Sequence, residues 1–101
     1  MSGFYAIIAR DGPGAAPIRT EKLKQHLAHV EEHLDRLAVA GPLRDEAGAF
    51  TGSLLIVKAD SEADARALLQ SDPYFQAGIW NDIEVRAFGA VAGDWVGGKT
   101  W

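Results

Sequence analysis

Five apolar residues, Leu23, Leu27, Val30, Leu34 and Leu37, recur at intervals of four, three, four and three. That rhythm belongs to an amphipathic helix with one buried stripe. Thr20 followed by Glu21 is a plausible N-terminus, and Ala40-Gly41-Pro42 provides the stop. A helix of this extent is on the order of 30 Å long, enough to cross a small sheet. With 101 residues the chain has room for a single core, so the rest of the fold is expected to lie against this helix.

The remaining segments read as strands around a second helix. Phe4 to Arg10 is a short apolar run bounded by Gly3 and Asp11-Gly12-Pro13-Gly14, too short for a helix and suited to a central strand. A loop from 11 to 17 follows it. Pro42 to Ala47 predicts a short edge strand, Asp45 to Gly52 a turn, and Gly52 to Lys58 a second buried strand. Ser61 with Asp64 three residues on predicts an N-cap, and Ala65, Leu68 and Leu69 the buried face of the helix it opens. Pro73 discourages helix at Asp72. Ile83 to Val91 predicts a last strand, with Ile83, Val85 and Ala87 on one face.

The order strand, helix, strand, strand, helix, strand predicts an α+β fold, ferredoxin-like βαββαβ with an antiparallel sheet and both helices on one face. The other face then needs a cover that a single domain spanning 1–101 cannot supply. A homodimer with two sheets face to face is therefore expected. The tail 92–101 carries Trp95 and Trp101 among glycines, and it is expected to dock on the partner subunit.

Composition narrows the functional classes. The net charge of −4 gives no electrostatic footprint for nucleic acid or an anionic membrane. Zero cysteines exclude disulfides, thiolate metal sites and a cysteine nucleophile. The start Met1-Ser2-Gly3-Phe4 lacks leader character and no apolar run approaches a membrane span, so the expectation is a cytoplasmic protein. No phosphate-binding loop or dinucleotide fingerprint is present. Gly97-Gly98-Lys99-Thr100 lacks the earlier glycine and following helix that a phosphate loop requires.

Three histidines stand on the first helix at positions 26, 29 and 33. At 100° per residue they fall within an arc of about 60° on the shoulder of the apolar stripe, His33 nearest to it. Three readings stay open: solvated helix edge, a metal site on the i, i+3, i+7 spacing, or a catalytic imidazole at His33. No further ligand cluster supports the metal, so none is expected. Asp72 before Pro73 reads as an Asx turn or as a carboxylate that holds an imidazole in one tautomer. Gly52-Ser53 reads as backbone geometry at a strand start or as part of a pocket.

His33-Leu34-Asp35-Arg36-Leu37, Ala40-Gly41-Pro42-Leu43, Phe50-Thr51-Gly52-Ser53 and Asp72-Pro73-Tyr74-Phe75-Gln76-Ala77-Gly78 resemble the YciI-like (YCII-related) family in order and spacing, over roughly residues 4 to 92. The resemblance implies a ferredoxin-like subunit that dimerises into an α/β barrel. It also implies an active site pairing a histidine of the long helix with the aspartate of the Asp-Pro motif, carried here onto His33 and Asp72. Ser53, Tyr74, Gly78 and His29 would then bind or enclose the substrate. Where the family pattern often has an arginine one turn before this histidine, this chain has Val30 beside His29, so His26 or His29 would have to replace it. The implied function is a small cofactor-free enzyme transferring a proton on a small organic substrate, of isomerase, lyase or hydrolase type. Some relatives resemble lactone isomerases and dehydrochlorinating enzymes. The alternative is a non-catalytic ligand-binding or accessory module built on the same pocket.

Overall fold

The computed structural model describes residues 3–101; Met1 and Ser2, which belong to the start read for a leader, lie outside the described residues. Strand β1 (Gly3–Asp11) leads to helices α1 (Ala15–Glu21) and α2 (Leu23–Glu32), a 3-10 turn at Leu34–Arg36, and strands β2 (Leu37–Arg44) and β3 (Phe50–Ala59). Helices α3 (Glu62–Gln70) and α4 (Pro73–Gln76) then precede strand β4 (Trp80–Phe88), and a small hairpin of β5 (Ala92–Gly93) and β6 (Gly98–Lys99) ends the chain. The main sheet has the order β2-β3-β1-β4 with every neighbouring pair antiparallel, which is the ferredoxin-like arrangement. Among the described residues no helix is long and apolar enough to cross a membrane.

The expected long first helix is corrected into two helices and a strand. Helix starts earlier, at Ala15, with Pro17 tolerated in the first turn where its missing N–H is not needed. Thr20 is therefore inside α1 rather than its cap, and the backbone breaks at Lys22 (φ −98°, ψ 6°) before α2 begins. At the other end α2 stops at Glu32, and Leu37 to Ala40 are strand. Leu37 and Val39 pair with Val57 and Ile56 of β3, so a ladder of sheet hydrogen bonds outweighs one more helical turn.

The helix-facing side of the sheet is set by the register. Tyr5, Ile7 and Ala9 lie opposite Val57, Leu55 and Ser53 on one side and Ala87, Val85 and Ile83 on the other. Ile7, Val57 and Val85 join Ala65, Leu68 and Leu69 of α3 with Tyr74, Ile79 and Trp80 in the buried core. Ser61 caps α3 as expected, its hydroxyl accepting the Asp64 N–H at 3.1 Å. On the opposite face Phe4, Ala6 and Ile8 alternate with those core residues and meet Leu54, Ile56 and Phe88. Leu54 and Phe88 remain 38% and 45% exposed there.

The leucine stripe of α2 does not enter this core. Helix α2 contains no buried residue, and Leu23 and Leu27 are about half exposed. It packs against α1 and α4 instead of lying flat on the sheet. A cavity of about 280 Å³ remains between α2 and the sheet, and the stripe faces it from one side.

Candidate active site

The site is organised by Asp72. The chain leaves α3 at Ser71, and Asp72 adopts an extended conformation (φ −72°, ψ 131°), as the residue before a proline must. Pro73 is then the first residue of the one-turn helix α4, and the Asp72 side chain caps it by accepting the Tyr74 N–H at 2.8 Å. The cap holds the carboxylate in place at 3% exposure of the residue.

The imidazole that meets this carboxylate is His26. Its Nδ1 lies 2.9 Å from both Asp72 oxygens, and its ring stacks on Tyr74 at 3.9 Å between centroids and 10° between planes. A carboxylate only accepts, so Nδ1 carries the hydrogen, and in the neutral ring it is Nε2 that keeps the lone pair. The expected His33–Asp72 pair is corrected here. Seven residues along a helix carry His33 about 10 Å further from the point where α4 crosses α2. His33 lies just past the end of α2, with Nδ1 2.7 Å from the His29 carbonyl oxygen; that oxygen too only accepts, so Nδ1–H donates. His33 does line the same cavity.

His29 lies between the other two. The Ser71 hydroxyl donates to Leu68 O at 2.7 Å, so His29 Nε2–H donates to Ser71 Oγ at 2.7 Å. His29 Nδ1 is then a bare lone pair, buried without a hydrogen-bond partner and 3.8 Å from Asp72 Oδ2. Burial outweighs the pull of Asp72 and lowers the His29 pKa below the usual histidine value, helped by the neighbouring His33 and His26. Among the described residues no three His, Cys, Asp or Glu side chains converge as metal ligands.

Behind this row stands a buried ion pair that the sequence reading did not anticipate. Arg19 and Asp11 form a two-pronged bridge, Nε to Oδ2 at 2.7 Å and Nη2 to Oδ1 at 2.9 Å, with the two side chains 10% and 9% exposed. Arg19 Nη2 also donates to Gly52 O at 3.0 Å and Ser53 Oγ at 3.2 Å. The guanidinium sits 5.3 Å from the Phe50 ring centroid and 5.4 Å from that of Tyr74. The Tyr74 hydroxyl donates to the Arg19 carbonyl oxygen at 2.8 Å, and burial raises its pKa, so it stays a protonated donor. Gly52 is required where it is, because a Cβ would meet the Ala9 carbonyl oxygen at 2.5 Å. That close strand approach delivers Ser53 to the cavity wall.

Ser53, Tyr74, His29, His33 and Asp72 thus line one cavity, joined by His26 and Arg19. Gly78 does not. It ends α4 in the left-handed conformation (φ +76°), exposed and away from the cavity, so its place in the motif answers to backbone geometry. A lone arginine in the run Ala15-Ala16-Pro17-Ile18-Arg19 was the available signal for the buried ion pair. For His26 over His33 there was none.

The YCII-related domain family model matches residues 3–89. The chain belongs to that family. It is 34% identical over 96 residues to protein YciI of Escherichia coli O6:H1 and 33% identical over 96 residues to an uncharacterized protein of Haemophilus influenzae, in each case across 87% of this chain and 98% of the relative. Among solved structures it is similar to 5-chloro-2-hydroxyhydroquinone dehydrochlorinase (TftG) from Burkholderia phenoliruptrix AC1100 in complex with 2,5-dihydroxybenzoquinone. The TM-score is 0.77 at 26% identity, over 90% of this chain and 96% of that one. The YCII-related fold is thus the ferredoxin-like subunit of the dimeric α/β-barrel superfamily.

Proposed function

We propose that this YCII-related protein is a small acid–base enzyme acting on a ring-sized organic substrate, with His26 as the proton carrier and Asp72 as its orienting partner. The observation that carries this reading is the His26–Asp72 pair in the wall of an apolar cavity, with Nδ1–H fixed and Nε2 left as a base. His26 Nε2 removes a proton from a carbon or hydroxyl of the substrate, and the electron pair moves onto a conjugated oxygen. Asp72 stabilises the imidazolium that forms. Return of the proton to another carbon gives an isomerisation; loss of a leaving group on a neighbouring carbon gives an elimination. The similarity to a dehydrochlorinase that holds a dihydroxybenzoquinone supports the elimination branch and a planar oxygenated ring. Both branches draw on these side chains alone.

The same reading includes a second copy of the chain. Phe4, Ile8, Leu54, Ile56 and Phe88 leave an apolar sheet face uncovered, and Trp95 and Trp101 of the tail are 83% and 75% exposed. A homodimer that packs two such faces together and seats the tail on the partner removes both from water. A stable dimer buries on the order of 1,200–2,000 Å² in total. Leu54→Arg, at the centre of that face, is expected to give a monomer in light scattering at micromolar concentration. A wild type that is already monomeric there would sink the dimer.

Turnover is tested by presenting halogenated and hydroxylated phenols, lactones and small cyclic ketones to wild type, His26→Ala and His33→Ala. His26→Ala is expected to lose turnover by about 10²- to 10⁴-fold. Equal turnover by wild type and His26→Ala, or none on any compound, would leave a binding module in place of an enzyme.

A further inference from the structure

We infer that Arg19 and Ser53 form the oxygen-binding end of this cavity, and that the substrate presents a carbonyl or phenolate oxygen to them while His26 works on the ring. This rests on the proposed function for the ring and the base, and adds the group by which the ring is held.

The argument is a count of donors. A guanidinium has five N–H groups. Arg19 Nε is used by Asp11, and Nη2 is shared among Asp11, Gly52 O and Ser53 Oγ. Nη1, with two hydrogens, has no partner among the described residues, although the Arg19 side chain is only 10% exposed and lines the cavity. Ser53 accepts from Arg19, so its own hydroxyl hydrogen is free, and no acceptor for it is present among the described residues. Ser53 too is buried at 9% exposure on the same wall. Two neighbouring side chains therefore bring N–H and O–H groups to one place on the cavity wall with no acceptor among the described residues, so an oxygen on a ligand that displaces water there gains both.

Charge selects among the ligands that could supply that acceptor. Asp11, bridged to Arg19 at 2.7 and 2.9 Å, neutralises the guanidinium. Asp72 adds a further negative charge across the cavity. A dianionic phosphate or a dicarboxylate would meet no net positive charge, whereas one carbonyl or one delocalised phenolate oxygen needs only the donors. The same donors strengthen their bonds to that oxygen as it gains charge when His26 takes the proton.

The test uses a pair of ring compounds of one shape that differ only in the acceptor, acetophenone and α-methylstyrene, titrated by ligand-observed NMR. Wild type is expected to bind acetophenone about tenfold more tightly. Ser53→Ala is expected to reduce that ratio to a few-fold. Arg19→Lys, which keeps a cation against Asp11 but removes Nη1, should bring it close to one, while α-methylstyrene binding changes little. Melting curves check that both variants fold, and Ser53→Ala alone carries the test if Arg19→Lys does not. A ratio of one in wild type, or an unchanged ratio in the folded variants, overturns the inference. The fate of the dyad is read separately. An intact ratio in a protein without turnover supports this inference and removes only the catalytic reading, and His26-dependent turnover with a ratio of one does the reverse.

Discussion

Helices α2 and α3 are both amphipathic, both carry leucines at core spacing, and both lie on the same side of the sheet, yet only α3 is sealed to it. Ala65, Leu68 and Leu69 of α3 are buried, whereas α2 buries none of its residues. The difference comes from what each helix is attached to. Helix α3 follows β3 after the single capped turn at Ser61 and lies directly on β3 and β4. Helix α2 is held at its histidine shoulder, by His26 on Asp72 and Tyr74 and by His29 on Ser71. Polar attachment along one edge props the apolar stripe away from the sheet, and the space beneath it becomes the cavity. An apolar stripe can thus be the wall of a binding site with the same periodicity that would mark a core.

The sharpest way to break this comparison is to remove the polar attachment without removing the fold. Asp72→Asn keeps a good N-cap for α4, since Asn serves there as well as Asp. It offers an amide that can bind the wrong nitrogen state of His26, so turnover is expected to fall by about 10³- to 10⁴-fold while the melting temperature moves little. A variant that melts far below wild type would show that the carboxylate holds α4 and α2 together rather than tuning an imidazole. Steady-state kinetics beside a thermal melt separates the two.

A leucine on each helix then compares the two roles directly. Leu69 of α3 and Leu27 of α2 both line the cavity, but Leu69 is 2% exposed and Leu27 is 53% exposed. Leu69→Ala is expected to cost about 2–5 kcal/mol in denaturant unfolding, because at 2% exposure nearly all of that side chain is packed against its neighbours. Leu27→Ala should cost less than about 1 kcal/mol, since much of that side chain is already in water. Its effect should appear instead as weaker binding of apolar rings. Similar stability losses for the two would mean that α2 is closed onto the sheet in solution.

Strands β1, β3 and β4 were legible because short apolar runs bounded by Gly, Pro and Asp have few other uses, and Ser61 announced α3 through its capping chemistry. The edge strand expected over Pro42 to Ala47 is corrected to Leu37–Arg44, with Pro42 inside the strand instead of at its start. The end of α2 was hidden, since Leu34 and Leu37 prolong the helical rhythm past the point where the chain turns to strand. Periodicity reports the angle of a residue about a helix and nothing of its height along a neighbour. His26, His29 and His33 share one shoulder, so the sequence placed all three beside the stripe, but which of them meets Asp72 depends on where α4 crosses α2. Arg19 escaped for a related reason: its partner Asp11 lies at the end of β1, and no local pattern joins a strand end to a helix one loop away.

His29 offers the smallest and most specific test of the polar edge. Its bare Nδ1 is buried 3.8 Å from Asp72, and its pKa is lowered below the usual histidine value chiefly by burial. In the unfolded chain the same imidazole takes up its proton near pH 6.5. Between that pH and the lower folded value the unfolded state binds more protons, so stability falls as pH falls through this window and levels off below the folded pKa. At neutral pH and above the contribution is fully present. His29→Gln retains a side-chain amide that can reach Ser71 and removes the titration, so it should flatten this part of the profile of unfolding free energy against pH. If His29→Gln and wild type lose stability in parallel from pH 7 to 5, His29 is not held neutral by the edge on which α2 rests, and the attachment of that helix rests on His26 alone.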